Sequence, residues 1–203
     1  MQGTLFVVSA PSGAGKTSLV HALVESTPNL HVSVSHTTRP QRPGEENGVN
    51  YHFVDKARFS AMLNDNAFLE HAEVFGNLYG TSMQSVTDQL NAGHDVILEI
   101  DWQGAEQIRR QAPQAVSIFI LPPSREVLRE RLVGRGQDSE AVIQGRMAQA
   151  TEQISHHVEF DYLIINDVFE VALAELRSVI TSQRLRHDKQ AERHLDLISS
   201  LLS

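Results

Sequence analysis

A glycine-rich turn between an apolar run and a helical pattern constrains this chain more than any other feature. Thr4–Ser9 reads as a buried strand, Ala10-Pro11-Ser12-Gly13-Ala14-Gly15-Lys16-Thr17 follows, and Lys16–Glu25 carries a helical pattern. Curling at Gly13 and Gly15 makes successive backbone N–H groups converge, and the helix amino terminus adds partial positive charge. This is a P-loop in its required context, with a strand before and a helix after. Lys16 is expected to bridge the outer phosphates of a nucleoside triphosphate, and the Thr17 hydroxyl to hold Mg2+. The strict pattern opens with glycine where this chain has Ala10, at the strand end before the curl, where a methyl group is tolerable. An ordinary glycine turn ahead of a helix is the competing reading, and the Gly-Lys-Thr ending disfavours it.

Beyond the loop, apolar runs and helical patterns alternate. Val96–Ile100, Val116–Leu121 and Tyr162–Ile165 read as strands; Ala105–Gln111, Ser124–Val133 and Val168–Arg186 read as helices, with Ser124 as a cap. Strands apolar throughout and alternating with helices predict an α/β fold, a parallel core sheet covered on both faces. Residues 33–83 break the rhythm. Val32-Ser33-Val34-Ser35 and Val49–Val54 alternate locally around the stiff turn Pro40-Gln41-Arg42-Pro43-Gly44, and Gly76-Asn77 separates two hairpin arms. The expected organisation is a core over 1–32, a small antiparallel β insertion over 33–83, core again over 84–125, a helical lid over 126–150, and core with a C-terminal helix over 151–203. Leu195, Ile198 and Leu202 at helical spacing predict a final helix, either packed on the core or forming the seam of a homo-oligomer.

Bulk properties exclude several classes. With no cysteine there is no disulfide, thiolate metal site or cysteine nucleophile, which suits a cytoplasmic protein. The formal charge of −8 argues against broad nucleic-acid or anionic-membrane binding. No apolar run approaches the roughly 18 residues of a membrane span. Of 17 basic residues only Lys16, Lys56 and Lys189 are lysines; the rest are arginines, the side chain of forked phosphate recognition.

Several further segments carry a resemblance. Ser35-His36-Thr37-Thr38-Arg39-Pro40, Arg42-Pro43-Gly44-Glu45, Gly48 with Tyr51, and Phe68-Leu69-Glu70 are four of them. Gly76-Asn77 with Tyr79-Gly80-Thr81, Ile100-Asp101-Trp102-Gln103-Gly104, and Gly134-Arg135-Gly136 are the others. Together with Ala10–Thr17, over nearly the whole length, the chain resembles the bacterial type of guanylate kinase. The resemblance implies ATP and GMP as substrates and Mg2+ as cofactor. It implies that Arg39, Arg42, Tyr51 and Tyr79 hold the GMP phosphate, and that Ser35, Glu70, Thr81 and Asp101 read the guanine base. It further implies that Arg135 and Arg146 reach the ATP phosphates, with Arg131 a weaker candidate, and that Asn166 lies near the adenine. Glu99 departs from the aspartate common in the family, which puts its metal or water contact in question.

The chemistry agrees. Guanine offers N1–H and its N2 amine side by side to a carboxylate, whereas adenine presents a bare acceptor there; Ser35 and Thr81 hydroxyls can donate to O6. A phosphate monoester, with its second pKa near 6, is already ionised at neutral pH, so no general base is needed. Adjacent His156 and His157 cannot face one another on a helix and read as surface or partly packed. Lys16, Arg39, Arg42, Arg135 and Arg146 are the expected catalytic set, acting by positioning and charge neutralisation. Three alternatives are disfavoured. A GTPase switch matches Asp101-x-x-Gly104 but lacks Asn-Lys-x-Asp. A kinase for another nucleoside monophosphate is opposed by Glu70, Ser35 and Thr81. A non-catalytic guanylate-kinase-like binding module is opposed by the retained Lys16 and Arg135.

Overall fold

The chain runs β1 (Leu5–Ser9), α1 (Lys16–Glu25), β2 (Leu30–Val32), β3 (His36–Thr37), β4 (His52–Phe53) and α2 (Lys56–Asn64). There follow β5 (Phe68–Val74), β6 (Asn77–Ser82), α3 (Met83–Asn91), β7 (Asp95–Glu99), α4 (Trp102–Gln111), β8 (Val116–Leu121) and α5 (Arg125–Val133). Then come α6 (Glu140–Ser155) with a 3-10 turn (His156–Glu159), β9 (Tyr162–Ile165), α7 (Phe169–Arg184), α8 (His187–Arg193) and α9 (Leu195–Leu202). The computed structural model describes residues 2–74, 76–134 and 140–203, the first three of the last span by backbone alone.

Successive strand side chains point to opposite faces, so β1, buried at every position, supplies two cores. Phe6 and Val8 pack with Leu19 and Leu23 of α1 and Leu176 and Ile180 of α7. Leu5 and Val7 pack with Val86 of α3 and Ala105 and Ile108 of α4. The five strands run parallel in the order β2-β7-β1-β8-β9, with helices on both faces. The order leaves β1 central, so the loop after it opens at the carboxyl edge of the sheet, where such folds bind ligands. Among the described residues no helix is long and apolar enough to cross a membrane.

A second sheet, β4-β3-β6-β5, stands apart from the first. Its hairpin β5–β6 turns at Gly76 and pairs antiparallel, as the sequence predicts, while β3 and β4 pair in parallel. Leu30–Val32 pairs in parallel with β7, within the core sheet. One expectation shifts here. Only His52 and Phe53 of Val49–Val54 form a strand; residues 46–50 turn back on themselves, leaving Val49 61% exposed.

The final helix is not packed. Nothing in α8 or α9 is buried, and Leu195, Leu197, Leu201 and Leu202 are each more than half exposed. The preceding α7 already covers the core face with Ala172, Leu176, Val179 and Ile180.

Candidate active site

Gly13 and Gly15 take φ of +92° and +91°, the left-handed conformation that side chains resist. At Gly15 space forbids substitution as well, since a Cβ would stand 2.4 Å from Asn166 Nδ2. Gly15 caps α1 without a side-chain hydrogen bond, so the first-turn N–H groups of the helix have no side-chain acceptor closing them off. Behind the loop, buried Asn166 donates through Nδ2 to Ala14 O at 2.7 Å, and Arg131 donates to Ala14 O and Asn166 O at 3.4 and 3.0 Å. Asn166 and Arg131 thus brace the loop backbone. Pro11 is buried, Ala10 packs against the core, and the Ser12 N–H donates to Gln153 Oε1 on α6 at 3.2 Å.

Lys16 reaches inward, its Nζ donating to Ile100 O at 3.4 Å. Burial pulls its pKa below the ordinary value, opposed by the negative charges of Glu99, Asp101 and Glu70. Thr17 Oγ1 donates to Glu99 Oε2 at 3.0 Å, so the longer carboxylate at 99 holds the threonine hydroxyl. That bond consumes the proton and leaves both oxygen lone pairs for a hard cation. The described residues contain no group of three or more His, Asp or Glu fit to cage a metal. The donor set suits Mg2+ shared with phosphate oxygens, which completes its shell with ligand and water.

Across the cleft, Glu70 on β5 and Thr81 on β6 are buried neighbours, and Thr81 Oγ1 donates to Glu70 Oε1 at 2.5 Å. The hydroxyls of Ser35 and Thr81 lie 3.2 Å apart, continuing the row. Burial drives the Glu70 pKa up from 4.5 to about 7; the Thr81 hydrogen bond works against this, and nearby Asp101 adds to it. Asp101 caps α4, accepting from the Gly104 N–H and from Gln103 Nε2, each at 3.0 Å. A Cβ on Gly104 would sit 2.4 Å from Glu70 Oε2, so glycine there lets the helix approach the carboxylate.

The arginine–tyrosine group lies on the same side. The Arg39 guanidinium meets Glu45 Oε1 at 2.6 Å and sits over the rings of Tyr51 and Phe53, and Tyr51 meets Tyr79 edge to face. The Glu45 hydrogen bond is the largest cause raising the Arg39 pKa. Arg42 is exposed on the turn, its backbone N–H donating to Glu45 Oε2 at 2.8 Å. Arg39, Tyr51 and Tyr79 are therefore brought together, with Glu45 on one nitrogen of the arginine fork and Pro40 O on the other. Arg146 sits half-buried on α6. Arg135 lies outside the described residues.

Sequence reasoning missed the parts played by Glu45, Gly104, Gln153 and Trp102. Glu45 was visible only as the fourth residue of Arg42-Pro43-Gly44-Glu45, a turn that returns its carboxylate to the arginine. His156, expected to be surface or partly packed, is partly buried, and the contact the sequence did not show is its ring stacked on Trp102 at 3.6 Å and 7°.

Residues 2–183 match the family described as guanylate kinase. The chain is 63% identical to the guanylate kinase of Saccharophagus degradans, over 99% of this chain and 98% of that one. It is 57% identical to that of Vibrio cholerae, over 100% and 99%. The crystal structure of guanylate kinase from Anaplasma phagocytophilum superposes with a TM-score of 0.78 at 34% identity, covering 92% of this chain and 88% of that one.

Proposed function

Because this chain belongs to the guanylate kinase family, we propose that it moves the terminal phosphoryl group of ATP onto GMP by in-line transfer between two facing anion sites. One observation carries this reading: the Lys16 ammonium of the glycine loop bonds Ile100 O, next to Asp101, and Gly104 of the helix that Asp101 caps lies against the Glu70 carboxylate, so donor and acceptor elements share one cleft. The loop backbone and Lys16 hold the ATP phosphates. Arg39, Arg42, Tyr51 and Tyr79 hold the GMP phosphate, which displaces Glu45 from the arginine fork. Two guanidinium groups and two phenols are matched better by a phosphate dianion than by one carboxylate. Ser35, Glu70, Thr81 and Asp101 read the base, the ionised Glu70 accepting from N1–H and the N2 amine.

A GMP phosphate oxygen forms the new bond to the γ-phosphorus as the bond to the ADP oxygen breaks. The acceptor oxygen is already ionised, so no side chain removes a proton. Mg2+, held through Thr17 and the phosphates, supplies charge neutralisation when bound. Arg146 of α6 would neutralise charge on the transferring group, a role the resemblance also assigns to Arg135, and their approach would exclude water that otherwise accepts it.

A coupled assay of ADP release with GMP, AMP, UMP and dTMP tests the proposal. GMP alone is expected to support turnover. Comparable use of AMP would overturn the base assignment, and GMP-independent ADP release would overturn the transfer. Gly104→Ala gives a finer check. The new methyl group displaces the end of a movable carboxylate, so the melting temperature should change little. The KM for GMP should rise roughly 10- to 100-fold, as expected for displacement of a binding group by about 1 Å, with the KM for ATP unchanged.

A further inference from the structure

The base of α6 touches both halves of the cleft. Gln153 accepts from the Ser12 N–H of the phosphate loop at 3.2 Å. Three residues later, His156 stacks face to face on Trp102, the residue after Asp101. His156 Nδ1 also bonds Glu159 Oε1 at 2.6 Å, and the other oxygen of Glu159 accepts two bonds from Arg109, at 3.1 and 3.0 Å. Trp102 and Arg109 are seven positions apart on α4 and so share one helix face. The opposite flank of α4 is tied to the strand bearing Glu70. Gln107 exchanges two hydrogen bonds with the His71 backbone, at 3.1 and 2.6 Å, and Gly104 lies against the Glu70 carboxylate.

A continuous set of contacts therefore leads from Glu70 through α4 to the Trp102–His156 stack, and through α6 to the phosphate loop. On the Trp102 side of the stack lies a cleft lined by Glu73, Asp101, Trp102, Gln149 and Gln153. We propose that the Trp102–His156 stack, braced by Glu159 and Arg109, is the joint that couples occupancy of the guanine site to the position of α6 over the phosphate loop. His156 is then a positioning residue for the reaction, acting through Trp102. The proposal rests on the assignment of Glu70 and Asp101 to the base.

Coupling between sites is measured by binding, since contiguity alone does not establish it. Trp102 is the chain's one tryptophan, so its emission reports on the stack directly. Equilibrium titrations with GMP, with a non-hydrolysable ATP analogue, and with each in the presence of the other are expected to show mutual tightening of about fivefold or more. GMP alone should change the Trp102 emission. His156→Ala should reduce the coupling factor to about 1 while each nucleotide alone still binds, and its Trp102 emission should no longer respond to GMP. His156→Phe, which keeps a stacking ring, should retain most of the coupling.

Wild-type protein that binds both nucleotides independently overturns the joint, as does undiminished coupling in His156→Ala or its loss in His156→Phe. Wild-type protein that fails to bind GMP overturns the base-site assignment itself, which separates the two failures.

Discussion

Lys16→Ala is expected to lower kcat about 10³-fold or more while the chain remains folded. The ammonium is drawn into a site where burial disfavours its charge, so removing it should not unfold the protein; thermal melts should agree within a few degrees. ATP binding should weaken without vanishing, because the loop and the first turn of α1 still present backbone N–H groups. A second consequence is specific to this geometry. Lys16 helps hold the Glu70 pKa down, so its loss pushes that carboxyl further above about 7 and weakens GMP binding at neutral pH. Raising the pH should then recover GMP affinity in Lys16→Ala without recovering kcat. Steady-state kinetics from pH 6.5 to 9 would read both effects. A variant retaining kcat within tenfold of wild type would remove Lys16 from the chemistry.

The loop carrying Lys16 was the most legible part of the sequence because local demands fix it: two left-handed glycines, a strand before and a helix after. The core strands were equally plain, since a strand covered on both faces is nearly all apolar: β1 has only Ser9 and β8 only Ser117 as polar residues. The helices α2 and α3 were not anticipated. Each buries one side chain, Phe59 or Val86, so neither writes a strong apolar stripe; their clearest signals are the Asp55 and Ser82 caps. Glu70 lay further from reach. Nothing about an isolated glutamate in Phe68-Leu69-Glu70 marks it as buried, and only resemblance pointed to it. Its environment is made by Thr81 eleven residues away and Gly104 on another helix, contacts that exist only after the two sheets and α4 assemble. The Trp102–His156 stack was hidden for the same reason.

Glu70→Gln is expected to cut kcat/KM for GMP by about 10²- to 10⁴-fold while the KM for ATP changes little. Gln retains the size and can still accept from Thr81, but its amide then faces the guanine N1–H and N2 donors with a donor of its own. The pH profile makes the test sharper. In the empty protein the Glu70 pKa stands at about 7, raised by burial, and GMP requires the ionised form. Wild-type affinity for GMP should therefore fall as the pH drops below about 7. The variant should keep only the titration of the GMP phosphate near 6.

Stability moves in the opposite direction. A carboxyl whose pKa is raised on folding holds its proton more tightly in the folded than in the unfolded chain. The empty wild-type protein thus loses stability as the pH rises from about 4.5 through about 7. The full loss is about 3 kcal/mol. Glu70→Gln lacks this penalty, so above pH 7.5 the empty variant should melt at a higher temperature than wild type, and the difference should close below pH 5. GMP should stabilise wild type strongly and the variant weakly. Equal losses toward GMP and ATP, or melting curves that keep a constant separation across this pH range, would show that Glu70 is not the buried carboxylate that reads the base.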